Sequence, residues 1–282
     1  MIKLSAFSDE AGNSLEQQIA ALQRNNIPYM EIRNIDGKNI KDLSLQEAQA
    51  IKDRLDEEGL KVWSVGSPLG KVDITVDMDE YMETVCHIFE LAKILGADKI
   101  RMFSFFNSYD QKDKVIHNLK LMVAKANEYG IKLCHENEKE IYGDTATRVK
   151  EILDNVPGLY CVYDPANFLQ VGEKADTTLP LFADRTEYFH IKDVIMETEE
   201  LVPAGEGDGN IPELIASIQE DKVLSLEPHL AVFEGYSTID NTQMKNKYHF
   251  ASNSQAFDAA ANALKQLLIK AGYKETKGGF VK

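Results

Sequence analysis

Apolar residues recur along the chain in two alternating rhythms. Short β-branched or apolar runs stand at 2–6 (IKLSA), 29–33 (YMEIR), 61–66 (KVWSVG), 99–105 (KIRMFSF), 131–136 (IKLCHE), 159–164 (LYCVYD), 187–192 (EYFHIK) and 223–227 (VLSLE). Each reads as a strand bounded by a polar or glycine-bearing turn. Between them lie stretches whose apolar residues fall three and four apart. In 14–25 (SLEQQIAALQRN), Leu15, Ile19 and Leu22 share one face, and 45–58, 78–95, 112–129, 145–155 and 254–272 repeat the pattern, as amphipathic helices do. Several of these stop at a glycine just before the next strand, at Gly59, Gly96 and Gly130, where a helix end favours a left-handed residue.

Strands that alternate with helices pair in parallel. Eight such units, roughly thirty residues apart, predict closure into a single (β/α)8 TIM barrel over 1–282, a length near the ~250 residues usual for that fold. The open doubly wound sheet is the alternative, but no G-x-G-x-x-G follows the first strand. No linker or low-complexity tract divides the chain. The longest irregular piece is a polar loop insertion around 229–252, after the eighth strand, carrying Tyr236, Lys245, Lys247 and Tyr248. It reads either as a cover for the barrel mouth or as a surface insertion.

Charge narrows the choice of partners. The chain has 31 Lys+Arg against 46 Asp+Glu, a net charge of −15, and its lysines are scattered rather than clustered. Such a surface repels a phosphate backbone, so nucleic acid is not expected as a partner. The three cysteines, Cys86, Cys134 and Cys161, form no CxxC and lie in apolar stretches, which predicts reduced core residues. No apolar run reaches the ~18 residues of a membrane span, and the N-terminus reads as a strand rather than a signal peptide. The expected setting is the cytoplasm, without a membrane partner.

The chemistry gathers at strand ends. Strand five runs out into Cys-His-Glu-Asn-Glu (134–138), strand six into Tyr-Asp-Pro-Ala-Asn (163–167), strand seven into His-Ile-Lys-Asp (190–193) and strand eight into Leu-Glu-Pro-His (226–229). In a barrel these ends converge on one mouth, where active sites lie. An isolated strand-end carboxylate commonly caps the next helix, and an isolated histidine commonly sits satisfied in a core. Four adjacent strand ends bearing Glu136, Asp164, His190 and Glu227 are a different matter. Three converging carboxylates repel one another, and a divalent cation removes the conflict. Three oxygens and one imidazole suit Mn²⁺, Mg²⁺, Co²⁺ or Fe²⁺, with Zn²⁺ admissible.

These motifs resemble the xylose isomerase-like TIM barrel superfamily, in its sugar phosphate isomerase/epimerase branch, which includes D-tagatose 3-epimerase, inosose dehydratase and, more distantly, endonuclease IV. The similarity spans the chain and is carried by AFSDEAG (6–12), RMFSFF (101–106), HENE (135–138), YDPANF (163–168), HIKD (190–193), PAGEGDG (203–209) and SLEPHL (225–230). The resemblance implies that Glu136, Asp164, His190 and Glu227 hold the metal. It also implies that Glu136 and Glu227 exchange a proton with a sugar-like substrate from opposite faces through a metal-bound enediolate. Isomerisation or epimerisation of a sugar or keto-sugar, phosphorylated or not, is the first expectation. A lyase or dehydratase acting on an inosose-like or oxidised sugar is the second. Endonuclease-type DNA repair is disfavoured by the acidic charge and by the presence of only six histidines. A silent sugar-binding barrel has no need of four retained ligands. A homodimer is compatible with the fold, though no segment reads as an interface.

The sequence departs from the epimerase pattern at Asn167, where relatives carry a histidine, and in HIKDVIMETEE, which offers Lys192 and no arginine. Candidate substrate contacts follow. Lys192 shares parity with His190, and His229 with Glu227. Asn167 can hydrogen-bond a hydroxyl. Arg33 and Arg101 can grip an anion bidentately or pair with a structural acid such as Glu31. Ser67 follows strand three, close to Trp63, which fits the core better than a sugar contact. Glu206 lies in the glycine-rich loop 205–209. That loop reads as a phosphate cradle or, better, as a tight turn, since Glu206 and Asp208 add negative charge. His135 has the parity opposite to Glu136 and is expected to face the helices.

Overall fold

The computed structural model describes residues 1–233 and 244–282; Tyr236 lies outside them. Eight strands run parallel: β1 (Ile2–Ala6), β2 (Tyr29–Ile32), β3 (Lys61–Gly66), β4 (Lys99–Met102), β5 (Lys132–Glu136), β6 (Tyr160–Tyr163), β7 (Thr186–Ile191) and β8 (Lys222–Leu226). Each pairs with the next, and β8 returns to β1 in parallel, from Ile2 opposite Lys222 to Ala6 opposite Leu226. That last pairing closes the sheet into the expected (β/α)8 barrel. The fourth strand is shorter than the run 99–105 suggested, because Phe105 turns to a φ of 73° and Phe103–Phe106 leave the barrel.

The helices are α1 (Leu15–Arg24), α2 (Leu45–Glu57), α3 (Met78–Leu95), α4 (Lys112–Tyr129), α5 (Ala146–Asn155), α6 (Pro165–Gln170), α7 (Ala175–Phe182), α8 (Ile211–Ser217) and α9 (Asn253–Lys270). Their ends obey local chemistry. Ser14 and Ser44 form capping boxes with Gln17 and Glu47, and Asp77 caps α3 through its side chain. Gly96 and Gly130 end α3 and α4 in the left-handed conformation, at φ of 74° and 69°. Among the described residues no helix is long and apolar enough to cross a membrane. All three cysteines are free, Cys134 and Cys161 buried and Cys86 half-buried.

Strand residues alternate between two environments. Leu133, Phe189, Ile191, Leu224 and Leu226 face outward into the layer shared with the helices. Burying each such side chain stabilises the fold by about 1.5–3 kcal/mol. Cys134, Val162, Tyr188 and Val223 fill the barrel interior. Two residues further along each of those four strands, the inward parity brings Glu136, Asp164, His190 and Ser225 toward the C-terminal mouth; two more bring Lys192 and Glu227.

Three small hairpins complete the frame among the described residues, the first pairing Asn34–Ile35 with Lys38–Asn39 after β2. Lys274–Thr276 and Gly279–Val281 pair with each other and meet the foot of β1, where Ile2 faces Phe280. At the mouth, Asp193–Ile195 and Glu200–Val202 form an antiparallel pair directly after β7. The returning end of the polar insertion lies along this pair: Leu201 N–H donates to Lys245 O at 2.8 Å, and Lys247 N–H donates to Leu201 O at 3.3 Å.

Candidate metal centre

The ends of β5 to β8 bring Glu136, Asp164, His190 and Glu227 together. One ligand atom from each lies within 4.8 Å of all the others, and all four residues are buried. His190 Nδ1 stands between the two glutamates, 2.8 Å from Glu136 Oε1 and 3.4 Å from Glu227 Oε2. Asp164 divides its oxygens between two tasks. Oδ1 accepts from Ala166 N–H and Asn167 N–H at 2.8 and 3.1 Å, capping α6, whose first residue is Pro165. Oδ2 is buried, makes no hydrogen bond, and has the Lys192 ammonium 3.1 Å away. The cap therefore fixes the aspartate so that one oxygen is turned into the cluster. An oxygen without a hydrogen bond, beside two carboxylates and an imidazole, fits a divalent-cation donor set.

The electrostatics of the protein alone are tense. Burial pushes the Asp164 carboxyl up to about 7, with Lys192 acting against it. Burial also opposes ionisation of Glu136 and Glu227. For Glu136, His190 and Arg101 outweigh burial and hold the carboxyl below its usual range. For Glu227, Lys192 and His190 do so more strongly. Burial disfavours the His190 imidazolium, yet Glu136 and Glu31 raise its pKa well above the ordinary value. The site is thus built to hold positive charge.

The other expected residues distribute as follows. Lys192 points into the site, 3.5 Å from Glu227 Oε2, and makes no bond to Asp193. Arg101 Nε lies 3.2 Å from Glu136 Oε2. Arg33 is committed to protein acids, bidentate to Asp9 and donating to Glu227 Oε1 at 2.9 Å. Its partner is therefore not Glu31. Asn167 donates to Asn137 O at 2.8 Å and to Glu136 Oε1 at 3.3 Å. His229 adopts a φ of 47°, with its N–H donating to Glu10 Oε2 at 2.7 Å and its Nε2 3.7 Å from Glu227 Oε1. Glu10, Glu227 and His229 also converge, but Arg33 lies against both of those glutamates and balances their charge.

Arg101, Asn167, Lys192 and His229 line a cavity of about 10 Å³ with Glu136 and Glu227; Phe103, Glu138, Gln170 and Leu201 complete its walls. It has room for about one water-sized group. A larger cavity of about 630 Å³ lies outside the mouth, between α6–α7 and the glycine loop, and touches none of the four clustered residues.

Three of the expected substrate contacts stand apart from the cavity: Arg33, already described, and Ser67 and Glu206. Ser67 is buried and its hydroxyl donates to Arg101 O at 2.7 Å, so it supports the arginine. Glu206 is exposed and accepts from Tyr248 OH at 2.6 Å. The glycine loop around it has a clear purpose. Gly205 and Gly207 N–H donate to Asp193 Oδ2 at 2.8 and 3.1 Å, and Gly209 N–H donates to Asp193 Oδ1 at 2.9 Å. A Cβ at Gly207 would sit 2.4 Å from Asp193 Oδ1. The cradle holds the chain's own carboxylate. His135 faces the helices as its parity required. Burial lowers its imidazole pKa to about 4, and Gly143 leaves room for the ring.

Sequence reasoning did not assign a role to Asp9, Glu10 or Glu138, nor to Glu31 beyond a candidate ion pair. The motif AFSDEAG contained the first two, but nothing local shows that the turn after β1 folds over the mouth.

A closed eight-strand parallel barrel, with a buried carboxylate–imidazole cluster at the C-terminal ends of its strands, places the chain among the barrels that carry a polar site at that mouth. The sequence model of the xylose isomerase-like TIM barrel family matches residues 19–245, and the chain belongs to that family. No curated protein matches the chain by sequence. Solved structures share the fold. The probable 3-DHS dehydratase AsbF from Bacillus anthracis is 16% identical over 93% of this chain and 98% of its own, with a TM-score of 0.72. D-allulose 3-epimerase from Methylomonas sp. is 15% identical over 94% and 98%, with a TM-score of 0.73. The IOLI protein with a binding zinc atom is 16% identical over 95% and 98%, with a TM-score of 0.70.

Proposed function

We propose that this chain is a divalent-metal-dependent isomerase or epimerase of a sugar or keto-sugar. Glu136, Asp164, His190 and Glu227 would hold the metal. The observation that carries the reading is the placement of two buried glutamates, Glu136 and Glu227, on either side of His190 Nδ1, with both glutamates lining one small cavity. A divalent ion held there would supply Lewis acidity for polarising a substrate carbonyl and acidifying the neighbouring C–H.

The chain's own groups supply the rest. Glu136 and Glu227 reach the cavity from β5 and from the end of β8, so one can take a proton from carbon while the other returns one. Return to the opposite face of the same carbon gives epimerisation, and return to the neighbouring carbon gives aldose–ketose isomerisation. Arg101 and Arg33 lie against these glutamates and favour their ionised form. Lys192 and His229 line the same cavity and can donate hydrogen bonds to substrate oxygens. Phe103, Gln170 and Leu201 form part of the cavity wall, and a sugar needs more room than the cavity's 10 Å³, so the wall must shift for one to bind. A neutral sugar suits the site better than a phosphorylated one, because the glycine-loop amides are already satisfied by Asp193.

The second reading is a lyase acting on an oxidised or inosose-like sugar. It is favoured by the presence of two proton donors, Lys192 and His229, beside the glutamates, since a departing hydroxyl needs a proton.

Solvent deuterium exchange by NMR tests the proposal, using ketoses, keto-inositols and their phosphates with protein loaded with Mn²⁺ or stripped by chelator. Metal-dependent exchange at a carbon beside a carbonyl, lost in Glu136→Gln and Glu227→Gln, is expected. The product spectrum separates epimer from dehydrated product. Absence of exchange on every substrate, with less than one ion taken up per chain, would refute the reading.

A further inference from the structure

We propose that Glu31 is the positioning residue of this centre: its carboxylate holds His190 by Nε2, so that Nδ1 is the atom presented to the cation. This rests on reading the four-residue cluster as a metal site. Glu31 sits on β2, across the barrel from β7, and its side chain is fully buried. His190 Nε2 lies 3.1 Å from Glu31 Oε2, which also accepts from Ser225 Oγ at 2.6 Å. Glu31 Oε1 accepts from Tyr188 OH at 2.6 Å, and Tyr188 OH lies 3.0 Å from Ser64 Oγ. Phe7 and Tyr188 pack edge-on against the imidazole at 75° and 65°, with centroids 5.2 and 5.5 Å away, and fix its plane.

A barrel interior is ordinarily filled by branched apolar side chains. A carboxylate sunk there costs free energy unless it is hydrogen-bonded, and the three donors to Glu31 supply those bonds. Two irregularities in the sheet serve the arrangement. The β2–β3 register shifts between Met30 and Glu31, setting Glu31 opposite Ser64, and the β6–β7 register shifts so that Tyr188 lies opposite Val162. Each shift lies next to a member of the network, as expected of bulges that re-aim a side chain. An imidazole donating through Nε2–H keeps its Nδ1 lone pair for a metal, and a carboxylate behind a ligand histidine strengthens it as a donor.

The test compares wild type with Glu31→Gln and Tyr188→Phe. Calorimetric titration with Mn²⁺ and Co²⁺ gives the metal affinity, and ¹⁵N spectra of the Zn²⁺-loaded proteins report which ring nitrogen of His190 keeps its proton. The expected result is about 10–100-fold weaker binding in Glu31→Gln. A smaller loss in Tyr188→Phe is also expected, with the Nε2–H ring pattern blurred in Glu31→Gln. Thermal melting shows separately whether each variant is folded. If Glu31→Gln does not fold, Tyr188→Phe, which leaves the carboxylate in place, carries the test. Wild-type binding with unchanged affinity and ring signals in the folded variants would overturn the positioning role and leave the metal site standing. A wild-type protein that binds no divalent ion would instead overturn the metal reading, and this inference with it.

Discussion

Asp193 and its glycine cradle offer the sharpest test of how the mouth is built. The perturbation is Asp193→Asn, which keeps the shape and removes the charge. Four N–H groups converge on this carboxylate: Gly205 and Gly207 on Oδ2, Gly209 and Val194 on Oδ1. An amide has one oxygen, so two of the four donors would face an NH2 group. Hydrogen bonds to a charged acceptor contribute about 1.5–3 kcal/mol each. Some desolvation cost is recovered when the charge is removed, because burial pushes the Asp193 carboxyl upward. A local loss of about 3 kcal/mol is a reasonable net figure. Amide hydrogen exchange over 203–210 reads it directly, since each 1.4 kcal/mol is tenfold in an opening equilibrium; an acceleration of about 100-fold is expected. Gly207→Ala should act in the same direction, because its Cβ would fall 2.4 Å from Asp193 Oδ1. Exchange within threefold of wild type in both variants would refute the reasoning. So would inorganic phosphate slowing exchange in the wild-type loop, since that requires amides free to bind it.

Other predictions bear on the cluster and its surroundings. Lys192→Met should tighten divalent-metal binding by at least about tenfold, because the ammonium lies 3.1 Å from Asp164 Oδ2, and like charges ~4 Å apart in such a setting repel by about 4 kcal/mol; weaker binding by calorimetry refutes this. The same variant should melt at lower temperature without metal, since Asp164 and Glu227 lose a counter-ion. His135 has its folded pKa depressed to about 4, against about 6.5 unfolded. Between those values the unfolded chain binds the proton and the folded chain does not. Its contribution is therefore full above pH ~6.5 and falls by about 3 kcal/mol as pH drops toward 4. Denaturant titrations at pH 7 and 5 should show this slope, and His135→Leu should flatten it; an equal slope in the variant counts against the assignment. Glu136→Gln and Glu227→Gln should each lower metal-dependent proton exchange by at least about 100-fold, the usual scale of a positioned acid or base.

Much of this architecture is written locally. The two apolar periods, the serines before α1 and α2, and the glycines after α2, α3 and α4 act over a few residues, and their elements fall within a residue or two of expectation. Strand parity is equally local. It placed Glu136, Asp164, His190, Lys192 and Glu227 on the inward face and His135 on the outward one. The short helices α6, α7 and α8 carried too few turns for a period to emerge, and the early end of β4 depends on a left-handed Phe105 that sequence pattern does not reveal.

Pairing across the barrel belongs to the tertiary structure alone. Arg33 meets Glu227, which is 194 residues away, and Glu31 meets His190, which is 159 residues away. No periodicity links such positions, because they become neighbours only when β8 closes on β1. The same holds for the glycine loop, which read better as a tight turn than as a phosphate cradle, but whose carboxylate partner Asp193 only the fold placed inside it. Local sequence determined which side chains face the mouth, through the two-residue repeat of each strand. Ring closure decided which of them touch, because the contacts of a barrel interior depend on strand stagger and bulges rather than on distance along the chain.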